Sequence, residues 1–321
     1  MTLLIRTILF ALLAAGSSAS FAQAAFPARP ITLVVPFGAG SGTDQHARLL
    51  AKEVSDELKV PVVVDNRPGA NGVIAAQAVK AAPADGHTWL LATNSTQVIN
   101  QVLTRKLPFD PLVDLSPVRG LTRGYQVMVV AANSPIKDVA SFVAYTKSKA
   151  GGVTFGSGSA ASQMGGELFK YRANVQMLHV PYKASPGAVT DLIGGQIDTM
   201  FVDLPVAMPL LSSGRVRALA VSAPKRLASL PAVPTFPEAG VAGYTNSFWS
   251  GLYVRAGTPP AILQRIGVAI SRANAAQPVA AYLEKASIER LDQPAAALEK
   301  LQAEELTLWR GIAAKTGIIP E

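Results

Sequence analysis

The sequence predicts an α/β protein of one large or two medium-sized domains, with mainly parallel sheets flanked by helices. Three observations carry that expectation. The chain has 321 residues, too many for one minimal core. Hydrophobic residues make up 49% and charged residues 16%, the balance of a core-former. Short apolar runs that end in Gly- or Pro-rich loops alternate with helix-length periodic segments, as in βαβ units.

Ile31–Val35 is an apolar run stopped by Pro36 and reads as a buried strand. A flexible loop follows over 38–42, and residues 43–58 place Ala47, Leu50, Val54 and Leu58 at helical spacing. Residues 60–64 form a second strand, 66–72 a turn cluster, 73–82 a helix, 83–86 a Pro- and Gly-set turn, and 88–92 a third strand. The middle of the chain repeats the pattern. It has strands at 126–131, 154–155, 176–180, 197–202 and 217–221, and helices at 139–149, 162–172, 186–193 and 205–213. Ser185 is suited to cap its helix, with Pro186 at the first helical position. Residues 230–243 form a Pro- and Gly-rich connection, 248–254 a strand, and 260–275, 279–285 and 294–315 three helices without an intervening strand.

The N-terminus reads as an address. Arg6 precedes an apolar run over 8–15, and Ala22-Gln23-Ala24 has the small-x-small form that a signal peptidase accepts. The run is far shorter than the roughly 20 residues of a membrane span. Residues 1–24 are thus expected to be a secretory signal, and the mature chain soluble and periplasmic. The absence of Cys fits an oxidising compartment and excludes a disulfide scaffold, a thiolate nucleophile and a thiolate metal site. Lys+Arg outnumber Asp+Glu by 29 to 21, but no basic run exceeds a pair such as Arg105-Lys106. That diffuse charge argues against a nucleic-acid partner and favours small anions.

The strongest local signal is strand, then 36–44, Pro-Phe-Gly-Ala-Gly-Ser-Gly-Thr-Asp, then helix. Glycines let backbone N–H groups converge, and the helix start adds unpaired donors and a positive dipole end. The loop suits a carboxylate; the alternative is a plain turn with Thr43 or Asp44 as helix cap. A dinucleotide fingerprint fails, because Thr43 stands at its third glycine; Asp65 would be its ribose acid. The loop at 156–162 repeats the design with Ser157, Ser159 and Ser162 as donors, Ser162 also being a candidate cap. The three histidines, His46, His87 and His179, are too scattered for a catalytic triad or a zinc site. Asn94 and Ser95 sit just past the third strand, where open α/β sheets place ligands, and Tyr182-Lys183 follow a strand in the same manner. Asp203 either caps the helix that follows it or accepts from a ligand hydroxyl, amine or protonated carboxyl.

The chain resembles the Bug-type receptors of tripartite tricarboxylate transporters, the TctC family, from about Phe26 to its C-terminus. The resemblance rests on 30–37 with Gly42-Thr43-Asp44 and Ala47-Arg48, on 62–72 (Val-Val-Val-Asp-Asn-Arg-Pro-Gly-Ala-Asn-Gly), and on Pro83-Ala84-Asp85-Gly86. It continues through 179–183, 191–196, 217–221, 230–235 and Gly257-Thr258-Pro259. It implies a two-domain periplasmic-binding-protein (Venus flytrap) fold. Domain one would comprise 26–123 plus 246–321, with domain two, 124–245, inserted. It also implies ligand contacts at Phe37, Gly38, Ala39, Gly42, Thr43, Asp44, Asn94, Ser95, Ser157, Ser159 and Asp203, to which the reading of the strand ends adds Tyr182. Ala39 and Ser41 stand where the family often has Pro and Gly, and Met164 stands near a frequent His. Both departures would alter the pocket and its ligand. The expectation is a monomeric, non-catalytic receptor without cofactor or metal that hands a small organic carboxylate to integral-membrane transporter subunits. A sensory receptor serving a membrane signalling partner, a receptor for another transporter type, and a periplasmic enzyme of the same fold are the alternatives. Aliphatic di- and tricarboxylates, aromatic acids, amino acids and nicotinate-like acids all fit such a loop.

Overall fold

The structure, a computed structural model, describes residues 26–318 and 320. The expected signal over 1–24 lies outside them. Among the described residues no helix is long and apolar enough to cross a membrane.

The first part of the chain runs β1 (Ile31–Val35), α1 (Gly42–Leu58), β2 (Val62–Asn66), α2 (Val73–Ala81) and β3 (Thr88–Thr93). A π-helical turn, Ser95–Ile99, leads into the short α3 (Asn100–Leu103). The middle is β4 (Leu115–Ala131), α4 (Val139–Ser148), β5 (Val153–Ser157), α5 (Ala160–Ala173), β6 (Met177–Pro181), α6 (Ser185–Ile193), β7 (Thr199–Asp203), α7 (Leu204–Ser212) and β8 (Val216–Val221). The last part is β9 (Ser247–Arg255), α8 (Pro260–Ala275), α9 (Gln277–Lys285), β10 (Glu289–Pro294) and α10 (Ala295–Thr316).

The strands lie in the order β2-β1-β3-β9-β4-β7-β5-β6, with β8 and β10 also paired to β4. The expected parallel pairing holds on both flanks, β1 with β2 and β3, and β5 with β6 and β7. The centre is antiparallel, because β4 and β9 run against their neighbours. The 17-residue β4 serves two sheets. Its Leu115–Tyr125 portion pairs with β9, and from Gln126 onward it pairs with β7 and β8.

Two strand segments depart from the sequence reading. The first portion of β4 was expected only from 126 onward. It contains Pro117, Gly120 and Gly124, and its register slips between Pro117 and Arg119 and between Gly120 and Thr122, so no two-residue period is visible. Strand β10 interrupts what reads as three successive helices. It is a polar edge segment without alternation, held to β4 by the Arg119–Asp292 ion pair. Capping also differs. Ser41, not Thr43 or Asp44, caps α1, and Ser159, not Ser162, caps α5. Ser185 lies inside α6, whose cap position is Ala184.

Three apolar clusters fill the layers. Leu33, Val35, Trp89 and Leu91 pack under α1 and α8 against Leu50, Val54, Ile266 and Ile270. Val127, Val129, Met200 and Val202 pack against Ala188 and Leu192 of α6. The third cluster is continuous across both sheets, from Leu90 and Trp249 through Met128 to Phe155, Phe169 and Phe201. Phe236 and Tyr244 pack within it, tilted by 35° with ring centroids 3.9 Å apart, and Tyr244 Oη donates to the Gly165 carbonyl of α5 at 3.0 Å. Complete burial of each such side chain contributes about 1.5–3 kcal/mol, so α5 is held firmly where it meets the sheet.

The start of the loop before α5 is fixed by close backbone contact. A Cβ at Gly158 would lie 2.6 Å from Ala184 C and from Ser185 Cα. Those backbone atoms cannot yield as a side chain would. Gly158→Ala should therefore lower stability by roughly 1–3 kcal/mol in urea unfolding, whereas Gly151→Ala meets no atom and should cost only its positive-φ penalty.

Candidate functional site

The C-terminal ends of β1, β3, β5 and β7 come together where the two sheets meet, around the start of α5. Ser95 Oγ accepts from the Ala161 N–H of α5 at 3.3 Å, so the halves touch there. Pro36, Gly72 and Thr96 are neighbours, because a Cβ at Gly72 would clash with Thr96 and lie 2.9 Å from Pro36 Cβ. That places Pro36, at the head of the 37–41 loop, beside Thr96. One turn further along α5, a Cβ at Gly165 would lie 2.5 Å from Gln126 Oε1 and 3.3 Å from Asn246 Nδ2.

The first loop is braced from within. The Asp44 carboxylate accepts from the Gly40 N–H at 2.8 Å, from Arg48 Nε at 3.0 Å and from Asn66 Nδ2 at 2.9 Å. Asn66 Nδ2 also donates to the Phe37 carbonyl. Burial alone would raise the Asp44 pKa, but the bonds from Arg48, Gly40 and Asn66 outweigh it and hold the carboxyl below its usual range. Ser41 Oγ accepts the Asp44 N–H. The N–H groups of Phe37, Gly38, Ala39, Gly42 and Thr43 have no partner among the described residues. Gly38, Ala39 and Gly40 are exposed. A rigid loop with unspent donors beside a helix N-terminus can hold a carboxylate without a guanidinium. Asp44 itself is fully committed to the brace. Gly42 faces α9, where Tyr282 Oη donates to its carbonyl at 2.9 Å.

The second loop is built alike. Ser159 Oγ accepts the Ser162 N–H, and Ser162 Oγ donates to the Phe201 carbonyl. The N–H groups of Gly158, Ser159 and Ala160 have no partner among the described residues. Ser157 Oγ lies 2.7 Å from His179 Nε2. Burial, with Lys170 nearby, pushes His179 down to about 4, so the ring is neutral at pH 7. No carboxylate is bonded to its other nitrogen among the described residues, so the pair lacks the orienting member of a triad. Tyr182 Oη donates to Asp191 at 2.6 Å and its ring packs against Gly156 and Gly187, a wedge under the loop whose hydroxyl is already spent.

Beneath both loops lies a polar chain. Asn94 Nδ2 donates to the Ser247 carbonyl, Asn246 Nδ2 donates to Gln126 Oε1 at 3.0 Å, and Gln126 Nε2 donates to Asp203 Oδ1 at 3.2 Å. Asp203 pairs with Gln126 across β4 and β7 and occupies the cap position of α7, but its side chain makes no capping bond. It is half-buried. That burial pushes its carboxyl up to about 6 despite the bond from Gln126. The sequence reading gives no site role to Gln126, Asn246, Asn66 or Arg48, although Asn66 and Arg48 stand in the motifs that carry the resemblance. Gln126 had a signal, a lone polar residue in the apolar run of 125–131. Two surface concavities lie elsewhere, one of about 600 Å³ near Arg105 and Arg310 and one of about 420 Å³ between Leu58 and Gln264. Neither includes a strand-end residue of the site.

Two outcomes follow from these charges. Asp44→Ala should release the first loop, lowering stability by about 1–3 kcal/mol in urea unfolding at pH 7. For Asp203 the folded pKa exceeds the ordinary value of 3.8. The unliganded protein is then most stable with the acid protonated, and loses that stability as pH rises from about 4 to about 6. Asp203→Asn should exceed the parent by roughly 1–3 kcal/mol at pH 8 and show no gain near pH 3.5. An equal gain at both values would mean that the acid is not desolvated.

A family model described as the tripartite tricarboxylate transporter family receptor matches residues 46–318. Protein BugT of Bordetella pertussis is 33% identical over 324 residues, covering 99% of this chain and 98% of BugT. Among solved structures, R. palustris Rpa4515 with adipate superposes with a TM-score of 0.87 at 31% identity, covering 92% of this chain and 100% of that one. MatC from Rhodopseudomonas palustris with bound malate gives 0.82 at 31%, covering 89% and 99%. With most of its length matched, the chain belongs to the tripartite tricarboxylate transporter receptor family, the Bug-type solute-binding proteins.

Proposed function

We propose that this protein is a periplasmic receptor that captures a small organic carboxylate, without turnover, and delivers it to integral-membrane transporter subunits. The carrying observation is the Asp44-braced loop, which leaves the N–H groups of 37–39 and of 42–43 unspent at the end of β1. The bound adipate and malate of the two R. palustris relatives agree with an acid as ligand. The unspent amides of 158–160 face the same problem from the second sheet, so one anion bridging both loops would satisfy both. The N-terminal segment 1–24 serves as the export signal, and the two sheets act as domains that close on the ligand about the β4–β9 crossing.

Because the donors are backbone groups on a rigid strand end, little ordering is needed on binding. A ligand at 100 times its Kd adds about 2.7 kcal/mol to the folded state. Mature protein, unfolded and refolded to remove bound solutes, should therefore shift its Tm with one class among mono-, di- and tricarboxylates and aromatic acids. A Cβ at Gly38 meets nothing within 4 Å and its φ is not strained, so Gly38→Leu should keep the unliganded Tm and abolish that shift. Shifts only with uncharged compounds would refute the carboxylate reading, and an undiminished shift in Gly38→Leu would place the anion elsewhere.

A further inference from the structure

The end of the sheet where β4 begins carries a basic concavity with an apolar tip at its rim. Leu115 pairs with Arg255, at the end of β9 away from Ser247, so this region lies at the opposite end of the sheet from Asn94. The concavity, of about 600 Å³, is lined by Lys80, Arg105, Lys106 and Arg310. Arg105, Lys106 and Arg310 are exposed, and none of the three makes an ion pair or a side-chain hydrogen bond among the described residues. Its two acids, Asp110 and Asp114, are turned to their own loop. Asp114 pairs with Lys80 at 2.8 Å and accepts the Asp110 N–H at 2.8 Å, while Asp110 Oδ1 accepts the Leu112 N–H at 2.9 Å.

Those bonds brace the turn over 110–114, which the Val113 and Asp114 N–H groups close on the Asp110 carbonyl. What the brace holds outward is apolar: Leu112 is 54% exposed and Val113 68%. Of the large apolar side chains exposed among the described residues, only these two are consecutive. Asp110, Pro111 and Asp114, on either side of them, line the concavity, so the tip stands beside the cations. Single exposed apolar residues are ordinary on a soluble protein, whereas an adjacent pair on a braced turn marks a contact. Two side chains bury far less than the roughly 1,200 Å² that a stable protein interface needs. A lipid surface makes no such demand. Short apolar groups enter the boundary of headgroups and acyl chains while neighbouring cations meet the phosphates.

We propose that this end of the protein docks on an anionic phospholipid surface, with Arg105, Lys106 and Arg310 on the headgroup phosphates and Leu112 and Val113 inserted between the headgroups. The net charge of +8 adds a longer-range attraction to the same surface. The carboxylate loops, at the other end of the sheet, stay uncovered. In the proposed receptor this contact would hold the protein near its membrane subunits without touching the ligand.

The test is co-sedimentation of mature protein, free of the apolar 8–15 run that would itself bind lipid, with vesicles of phosphatidylcholine alone or with about one-third phosphatidylglycerol, at about 0.1 M salt. One cation at such a surface is worth roughly fivefold in partitioning. The expected result is binding to the phosphatidylglycerol vesicles only, lowered roughly 20-fold or more in Arg105→Glu/Lys106→Glu. Leu112→Ser/Val113→Ser, which leaves the charge unchanged, should lower it about fivefold or more. Lys137→Glu/Lys285→Glu removes the same charge from exposed lysines before α4 and at the end of α9, and should stay within about threefold of the parent. The Tm of each variant checks its fold, and its Tm shift with a carboxylate, which should match the parent's, reads the ligand site separately. No binding to the anionic vesicles, an equal loss in the Lys137→Glu/Lys285→Glu control, or undiminished binding of Leu112→Ser/Val113→Ser would overturn the docking. Binding of poly-glutamate in place of the vesicles would also overturn it, and would assign the concavity to an acidic protein segment.

Discussion

At Gln126 the central strand changes partners, and the backbone bonds that would be lost there are replaced by one residue. Gln126 N–H donates to Ser222 Oγ, Ser222 N–H donates to the Gln126 carbonyl, and Ser222 Oγ donates to the Asn246 carbonyl. All of these groups are buried, where an unmade bond costs about 1–3 kcal/mol. The junction therefore keeps these bonds in any arrangement, and the site is measured from it. Asp203 stands opposite Gln126 in register, Asn246 leads into β9, and α5 approaches at a glycine because no side chain would fit over the Gln126 amide.

The flanks of this fold were legible in the sequence and the centre was not. The strands β1 and β3, the helices α1, α2, α4, α8 and α10, and both Gly-rich loops follow from local periodicity and turn chemistry, to within a few residues. Local signals fail where partners are distant. The first portion of β4 carries Pro117, Gly120 and Gly124 and is held in the sheet by β9, more than a hundred residues away. β10 is polar because it is an edge, and an ion pair to Arg119 replaces the alternation that would have revealed it.

The site divides in the same way. Its backbone donors could be anticipated, since glycines next to a helix start are a local feature. The brace could not. Asp44 looks like a helix-start acid or a ligand contact, and only the approach of Asn66 and Arg48 shows that it is occupied holding Gly40. Asp203 is the converse case. By sequence it suits a cap, and the structure puts it at the cap position with its carboxylate turned to Gln126 instead. One acid thus spends its charge on rigidity, while the other keeps much of its charge uncommitted.

The chain passes between the two sheets at two adjacent points, within β4 after Tyr125 and at the entry to β9 at Ser247, and these residues are paired with each other. The covalent connection is therefore a ribbon two strands wide. Such a ribbon resists shear, because sliding one strand past the other would break every cross-strand bond at once. It yields more readily to bending out of its plane and to twist, which β-strands carry in any case. If the halves move as the proposed receptor requires, the ribbon would leave them nearly one rotational coordinate, worked against the apolar cluster that is continuous across both sheets. In the proposed receptor, a molecule held between the first and second loops would act on that coordinate, so the strength of its grip and the angle at which the halves rest would become the same variable.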